Sequence, residues 1–261
     1  MKAIILAAGM GTRLGKYTES LPKGMLNFNG KTLIERQIEV LNSCGVSDIS
    51  IVTGYNKEKI NYSNVKYFHN PDFFSTNMVA SLMKAKEELN DDVLILYSDI
   101  IYQPSLIKNM INSTCEVGVM ADVDYMDYWK ARLDDWELDM ESFIYDLEDN
   151  VLDMGDTDCS LEDAKVRYVG MIKLSKSGAE KFKSIYEKNY SMYWELDKPW
   201  KKSKSFKQAY MTCMIKELID SNLEVKLVKT NRGWLEFDTT EDYEKAVDWV
   251  KSDEIKKYIE L

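Results

Sequence analysis

Histidine is almost absent from this sequence: His69 is the only one among 261 residues. A Ser-His-Asp or Cys-His site would have to rest on that one side chain, and a histidine-rich zinc site is excluded. A strand-end or surface position is expected for it. Cysteine is scarce too. Cys44, Cys115, Cys159 and Cys213 lie far apart with no Cys-x-x-Cys pair, a pattern expected of reduced, packing cysteines in a cytoplasmic protein rather than a disulfide frame. No apolar run approaches the roughly 18 residues that span a bilayer, so no membrane insertion is expected. Lys2 and the apolar run after it imitate a short signal peptide, but the run breaks at Gly9 and reads as a strand. Positive charge is also lacking: a formal net charge of −10 and a pI near 4.9 argue against a nucleic-acid partner.

That charge is uneven. Asp122 to Asp163 holds 16 acidic residues against Lys130 and Arg132, a local net of −14. The remainder has 32 basic and 28 acidic residues, a net of +4. The body is thus mildly basic with an acidic block set into it. With 45% hydrophobic residues there is ample material for a core.

Outside the block, strand-like and helix-like segments alternate. Apolar runs at 3–7, 49–53, 65–68, 93–97 and 117–121 predict buried strands. Helical spacing predicts helices over 32–44 and 76–89, and Pro104 opens another. After the block, a strand is expected at 166–174, helices at 177–188 and 206–220, a strand at 225–229 and a helix from Thr240. The expected fold class is α/β: a Rossmann-like, mostly parallel mixed sheet flanked by helices, with an inserted region. One domain over 1–261 is expected, divided into an N-terminal half at 1–121, an acidic insertion at 122–165 and a C-terminal half at 166–261.

In open α/β sheets ligands collect at the carboxyl ends of strands. There the chain places Leu6-Ala7-Ala8-Gly9-Met10-Gly11-Thr12-Arg13-Leu14. Small residues let backbone N–H groups approach phosphate oxygens, and Arg13 adds a forked cation. Leu14 stands where a dinucleotide fingerprint has its third glycine, and no Gly-Lys-Ser/Thr closes a P-loop. Pro22-Lys23 follows, then two distant strand-end carboxylates, Asp99 and Asp238. With one histidine and no cysteine cluster, a metal bound there would be hard and oxygen-loving, Mg²⁺ or Mn²⁺. Jointly these features suit nucleotidyl transfer to a phosphate: the loop and cations hold a triphosphate, and catalysis is positioning plus charge stabilisation. A phosphate nucleophile is already ionised near neutral pH, so the scarcity of histidine is no obstacle.

The Leu6–Leu14 loop, Pro22-Lys23, Thr53-Gly54-Tyr55 and Asp99 resemble the nucleotidyltransferase superfamily typified by sugar-1-phosphate nucleotidylyltransferases. The segment Glu236 to Tyr243 resembles its C-terminal metal region. Asn77, where sugar enzymes usually carry a Gly-Thr-Ala type motif, resembles the small cytidylyltransferases acting on phosphocholine, 2-aminoethylphosphonate or phosphoglutamine. Tyr97-Ser98-Asp99 departs from the common Gly-Asp pair. The resemblance implies that Leu6, Ala7, Ala8, Gly9, Gly11, Thr12, Gly54, Tyr55, Asn77 and Ser81 line the nucleotide. Arg13 and Lys23 would act catalytically on its phosphates. Asp99, Asp238 and Glu236 would hold the metal, and CMP would pass from CTP to a small phospho-acceptor with release of pyrophosphate.

For that acceptor the expected contacts are Asp122, Asp124, Arg167, Lys173 and Arg232. The acidic block, with Tyr125, Tyr128, Trp129, Trp136 and Asp139, offers aromatic faces beside carboxylates, suited to an ammonium group; it reads equally as a solvated excursion with buried tryptophans. A sugar-1-phosphate nucleotidylyltransferase, an NAD(P)-dependent Rossmann dehydrogenase and a noncatalytic nucleotide-sensing module remain alternatives. UTP in place of CTP stays open, as does a homodimer.

Overall fold

A computed structural model describes residues 1–261. The seven strands of its central sheet are numbered here in chain order: β1 (Lys2–Ala7), β2 (Asp48–Thr53), β3 (Lys66–His69), β4 (Val93–Tyr97), β5 (Val117–Asp122), β6 (Arg167–Leu174) and β7 (Val225–Thr230). Across the sheet they run β7-β5-β6-β4-β1-β2-β3. All are parallel save β6, which lies antiparallel between β4 and β5. The fold is thus the expected mostly parallel mixed sheet flanked by helices. His69 ends β3 and is exposed, and the four cysteines are unpaired.

The continuous apolar run of β1 has a simple cause. Ala3, Ile5 and Ala7 point into one core layer and Ile4 and Leu6 into the other, so both faces must be apolar. Helices α1 (Leu33–Ser43), α3 (Pro104–Asn112) and α7 (Thr240–Ser252) pack on the first side; α2 (Met78–Leu82), α5 (Lys176–Tyr193) and α6 (Met211–Asp220) pack on the other. Helix α1 starts on a capping box, Thr32 with Glu35, and α7 on another, Thr239 with Asp242. The expected helix over 76–89 is instead α2 followed by a 3-10 stretch, Met83–Glu88, kinked at Ala85. The expected helix over 206–220 likewise splits into a 3-10 turn, Phe206–Gln208, and α6.

The acidic segment is more ordered than its sequence suggests. It contains α4 (Met126–Arg132) and a hairpin of Phe143–Tyr145 with Val151–Met154. The strand expected before Asp238 is Trp234–Glu236, and it pairs antiparallel with a short strand that had no sequence signal, Ile100–Tyr102, with Glu236 opposite Ile100. This ribbon matters most for the site, because it lays the chain after Trp234 alongside the chain after β4.

Four of the five residues expected to contact an acceptor are committed elsewhere. Asp122 is fully buried and accepts hydrogen bonds from Trp234 Nε1 and from the backbone N–H of Asp124, both at 2.8 Å. Asp124 is exposed and faces Arg232 at 3.6 Å, and Arg232 also faces Asp127 at 3.8 Å, outside the cavity described below. Lys173 is 4% exposed; its ammonium donates to the carbonyls of Ile111 (3.1 Å) and Ser113, capping the C-terminal end of α3. Their polar patterning reflects structure: Asp122 anchors a buried indole, and Lys173 satisfies carbonyls that a helix end leaves open. Lys173→Met is therefore expected to destabilise the fold by about 1–3 kcal/mol. Thermal unfolding would show a lowered Tm, while substrate KM values stay unchanged; an altered KM with an unchanged Tm would return Lys173 to the site.

Candidate active site

The carboxyl ends of β1 and β4 open into a cavity of about 520 Å³. Because β6 is antiparallel, its beginning lies at this same end, which brings Arg167 and Tyr168 into the wall. Of the expected nucleotide-binding residues, Leu6, Ala8, Gly9, Gly11, Thr12, Arg13, Lys23, Asn77 and Ser81 line the cavity. Ala7 does not, since its side chain faces the core layer of Ala3 and Ile5. Gly54 and Tyr55 also lie outside and support the loop from behind: Tyr55 N–H donates to the Ala8 carbonyl at 3.2 Å. A Cβ on Gly54 would meet that carbonyl at 2.5 Å, so a side chain there would displace the loop.

Gly11 has φ +67° and sits against Lys23; an added Cβ would lie 2.9 Å from the Lys23 Cβ. The loop thus leaves room for Lys23 to pass inward. Pro22 holds the extended conformation that starts the Lys23–Met25 turn. Lys23 Nζ then lies 2.5 Å from Asp99 Oδ2 and 2.6 Å from Asp238 Oδ1. Arg13 approaches the other oxygen of Asp238 at 2.5 Å. Two cations and two carboxylates, drawn from the first loop, the end of β4 and the turn before α7, form a charge-balanced network. Burial opposes the charge on Lys23, but Asp99 and Asp238 more than offset it and hold the ammonium above its usual pKa. Burial likewise opposes ionisation of Asp238, yet Lys23 and Arg13 bring its carboxyl below the usual range.

Asp99 and Asp238 come together because the Phe237 N–H donates to the Asp99 carbonyl at 2.9 Å, extending the ribbon one residue. Their oxygens converge on a single ammonium, and two carboxylates with room for phosphate and water form the hard donor set that Mg²⁺ or Mn²⁺ takes. The residues present therefore fit such an ion. Glu236 also lines the cavity, but its Oε2 is paired with Arg132 at 2.6 Å. Burial, with Asp238 and Asp99 nearby, keeps its pKa raised despite Arg132.

Arg132 was not among the expected site residues. It is 2% exposed and its second nitrogen lies 2.9 Å from Asp242 Oδ2. That same oxygen accepts from the N–H groups of Asp238 and Thr239 at 2.9 and 2.8 Å. The acidic segment thus reaches the carboxylate turn through an arginine. Further lining residues without a sequence signal are Phe73, Thr76, Tyr97, Tyr168, Tyr210 and Thr212. Asp139 and Glu141 line it as well, and only their membership of the acidic block pointed toward them.

Residues 3–128 match the MobA-like NTP transferase domain family. The chain is 29% identical over 260 residues to the CTP:phosphoglutamine cytidylyltransferase of Campylobacter jejuni, covering 95% of this chain and 100% of that protein. It is 41% identical over 118 residues to the choline-phosphate cytidylyltransferase of Streptococcus pneumoniae, covering 44% of this chain and 52% of that one. A solved structure of the CTP:phosphocholine cytidylyltransferase of Streptococcus pneumoniae superposes with a TM-score of 0.72 at 26% identity, covering 95% of this chain and 98% of that one. A loop and two paired carboxylates at strand ends, on a sheet of this order, now stand beside these likenesses. The chain is an enzyme of the nucleotidyltransferase type, with the match to the MobA-like NTP transferase domain confined to residues 3–128.

Proposed function

We propose that the protein transfers CMP from CTP to a small amine-bearing phosphate or phosphonate, releasing pyrophosphate. The observation that carries this is the Arg13–Asp238–Lys23–Asp99 network beside the glycine loop. It supplies cations for a triphosphate and oxygen ligands for a divalent metal in one place. CTP is favoured over other nucleotides because the relatives named above are cytidylyltransferases.

In this reading the backbone N–H groups of residues 8–12 and the Arg13 guanidinium face the triphosphate. Lys23, held between two carboxylates in the free protein, moves its ammonium onto phosphate oxygens when ligand enters. Asp99 and Asp238 would hold Mg²⁺, which would supply charge neutralisation to the phosphates. An acceptor phosphate oxygen attacks the α-phosphorus of CTP; a new P–O bond forms, the α–β bridge breaks, and the electron pair leaves with pyrophosphate. The acceptor oxygen is ionised already, so no side-chain base is required. Residues 1–121 serve the nucleotide and supply Asp99 to the metal, 166–261 supply Asp238, and the acidic insertion at 122–165 faces the acceptor.

A pyrophosphate-release screen crossing four nucleoside triphosphates with phosphocholine, 2-aminoethylphosphonate, phosphoglutamine and sugar 1-phosphates, with and without Mg²⁺, tests the reading. Release is expected with CTP, an amine-bearing acceptor and Mg²⁺ together; no release in any combination would sink it. Asp99→Asn should lower kcat by about 100-fold or more. It should also abolish the rise in Tm that Mg²⁺ with CTP gives the unaltered protein. Lys23→Met is expected to separate two roles. Removing the resident ammonium leaves Asp99 and Asp238 facing each other, so Mn²⁺ should bind the nucleotide-free protein more tightly, read by paramagnetic resonance, while CTP turnover collapses. Weaker Mn²⁺ binding by this variant would contradict the shared carboxylate site.

A further inference from the structure

The wall of the cavity away from the glycine loop carries charge of both signs, from Asp139, Glu141 and Arg167. Glu141 lines it, yet its side chain makes no hydrogen bond or ion pair within the chain. The neighbouring cation, Arg167, is already engaged: it donates to the Asp139 carbonyl at 2.8 Å, faces the Asp139 carboxylate at 3.6 Å, and lies 4.0 Å over the ring of Trp129. Arg132 lies over the same ring at 4.4 Å, and Trp129 has no exposure. Tyr125 and Tyr128 are each 2% exposed. The aromatic surface of the acidic block is therefore filled by the protein's own guanidinium groups. Beside Glu141, Tyr97 and Tyr168 pack edge to face on each other at 5.7 Å.

A quaternary ammonium is recognised through aromatic faces around its methyl groups. A primary ammonium is recognised through N–H donation to a carboxylate, which methyl groups prevent. Building on the transferase reading above, we propose that Glu141 is the residue that receives the acceptor's ammonium, with Asp139 assisting, and that the site selects an acceptor with N–H donors over its trimethylated counterpart. Burial raises the pKa of Glu141, with Arg167 opposing and Asp139 adding to the shift. A carboxylate held in that position without a partner gains most when a cation arrives.

Two matched pairs test this: phosphoethanolamine with phosphocholine, and 2-aminoethylphosphonate with its N-trimethyl derivative. Each is titrated calorimetrically into the full-length protein holding Mg²⁺ and a non-hydrolysable CTP analogue, and each is assayed for pyrophosphate release with CTP. The N–H member of each pair is expected to bind roughly 10- to 100-fold more tightly. Glu141→Gln should erase that ratio without lowering Tm, because the carboxylate has no partner in the fold to lose; Glu141→Asp should keep part of it. Equal or tighter binding of the trimethylated members, binding of neither, or an unchanged ratio in Glu141→Gln would overturn the assignment. A binding preference without pyrophosphate release from any acceptor would remove the transferase reading and leave the ammonium site standing.

Discussion

Everything at the mouth of the cavity depends on one ammonium. Lys23 lies between Asp99 and Asp238, and these three residues come from a loop, a strand end and a turn far apart in sequence. Two carboxylates brought this close without a counter-charge would repel and shift upward in pKa. Lys23 between them and Arg13 on the far oxygen of Asp238 supply that counter-charge, and the Asp238 carboxyl stays below its usual range. In the proposed reaction this ammonium would stand in for a metal cation until phosphate oxygens draw it away from the carboxylates.

The acidic block has its own logic. Its net charge of −14 suggested a surface to attract an amine; only Asp122 among its acidic residues is buried, and most of the others are exposed. Asp122 anchors Trp234, and of the two basic residues in the block Arg132 reaches into the core. Arg132 is sandwiched into the core, holding Glu236 and Asp242 and through Asp242 the turn that bears Asp238. Losing such a buried guanidinium would leave carboxylates unpaired in a low-dielectric setting, which is costly. The insertion is therefore coupled to the turn that bears Asp238, and only Asp139 and Glu141 within it line the cavity.

Much of this was legible from patterning. Doubly apolar strands such as β1, the capped starts of α1 and α7, and the glycine loop all follow from local chemistry, because backbone geometry and burial act over a few residues. The pairing of the short ribbon was not legible. The strand before Asp238 was expected, but its partner Ile100–Tyr102 is three residues long, too short for periodicity, and the two gain their stability from each other across the fold. Nor could sequence separate a lysine in the site from one capping a helix: Lys23 and Lys173 are both buried cations with oxygen partners, and only the identity of those partners distinguishes them.

Sequence alone determined the α/β class, the phosphate-friendly loop, the hard-oxygen character of any metal site and the absence of a histidine base, since each depends on residue type and near neighbours. Tertiary structure decided which carboxylates meet. It set Asp99 beside Asp238 and turned Asp122 into the core. It closed the Trp129 ring with Arg132 and Arg167, and left Glu141 facing the cavity. Those outcomes depend on strand direction and on pairings between distant segments, where a buried charge takes its role from whatever partner the fold brings to it.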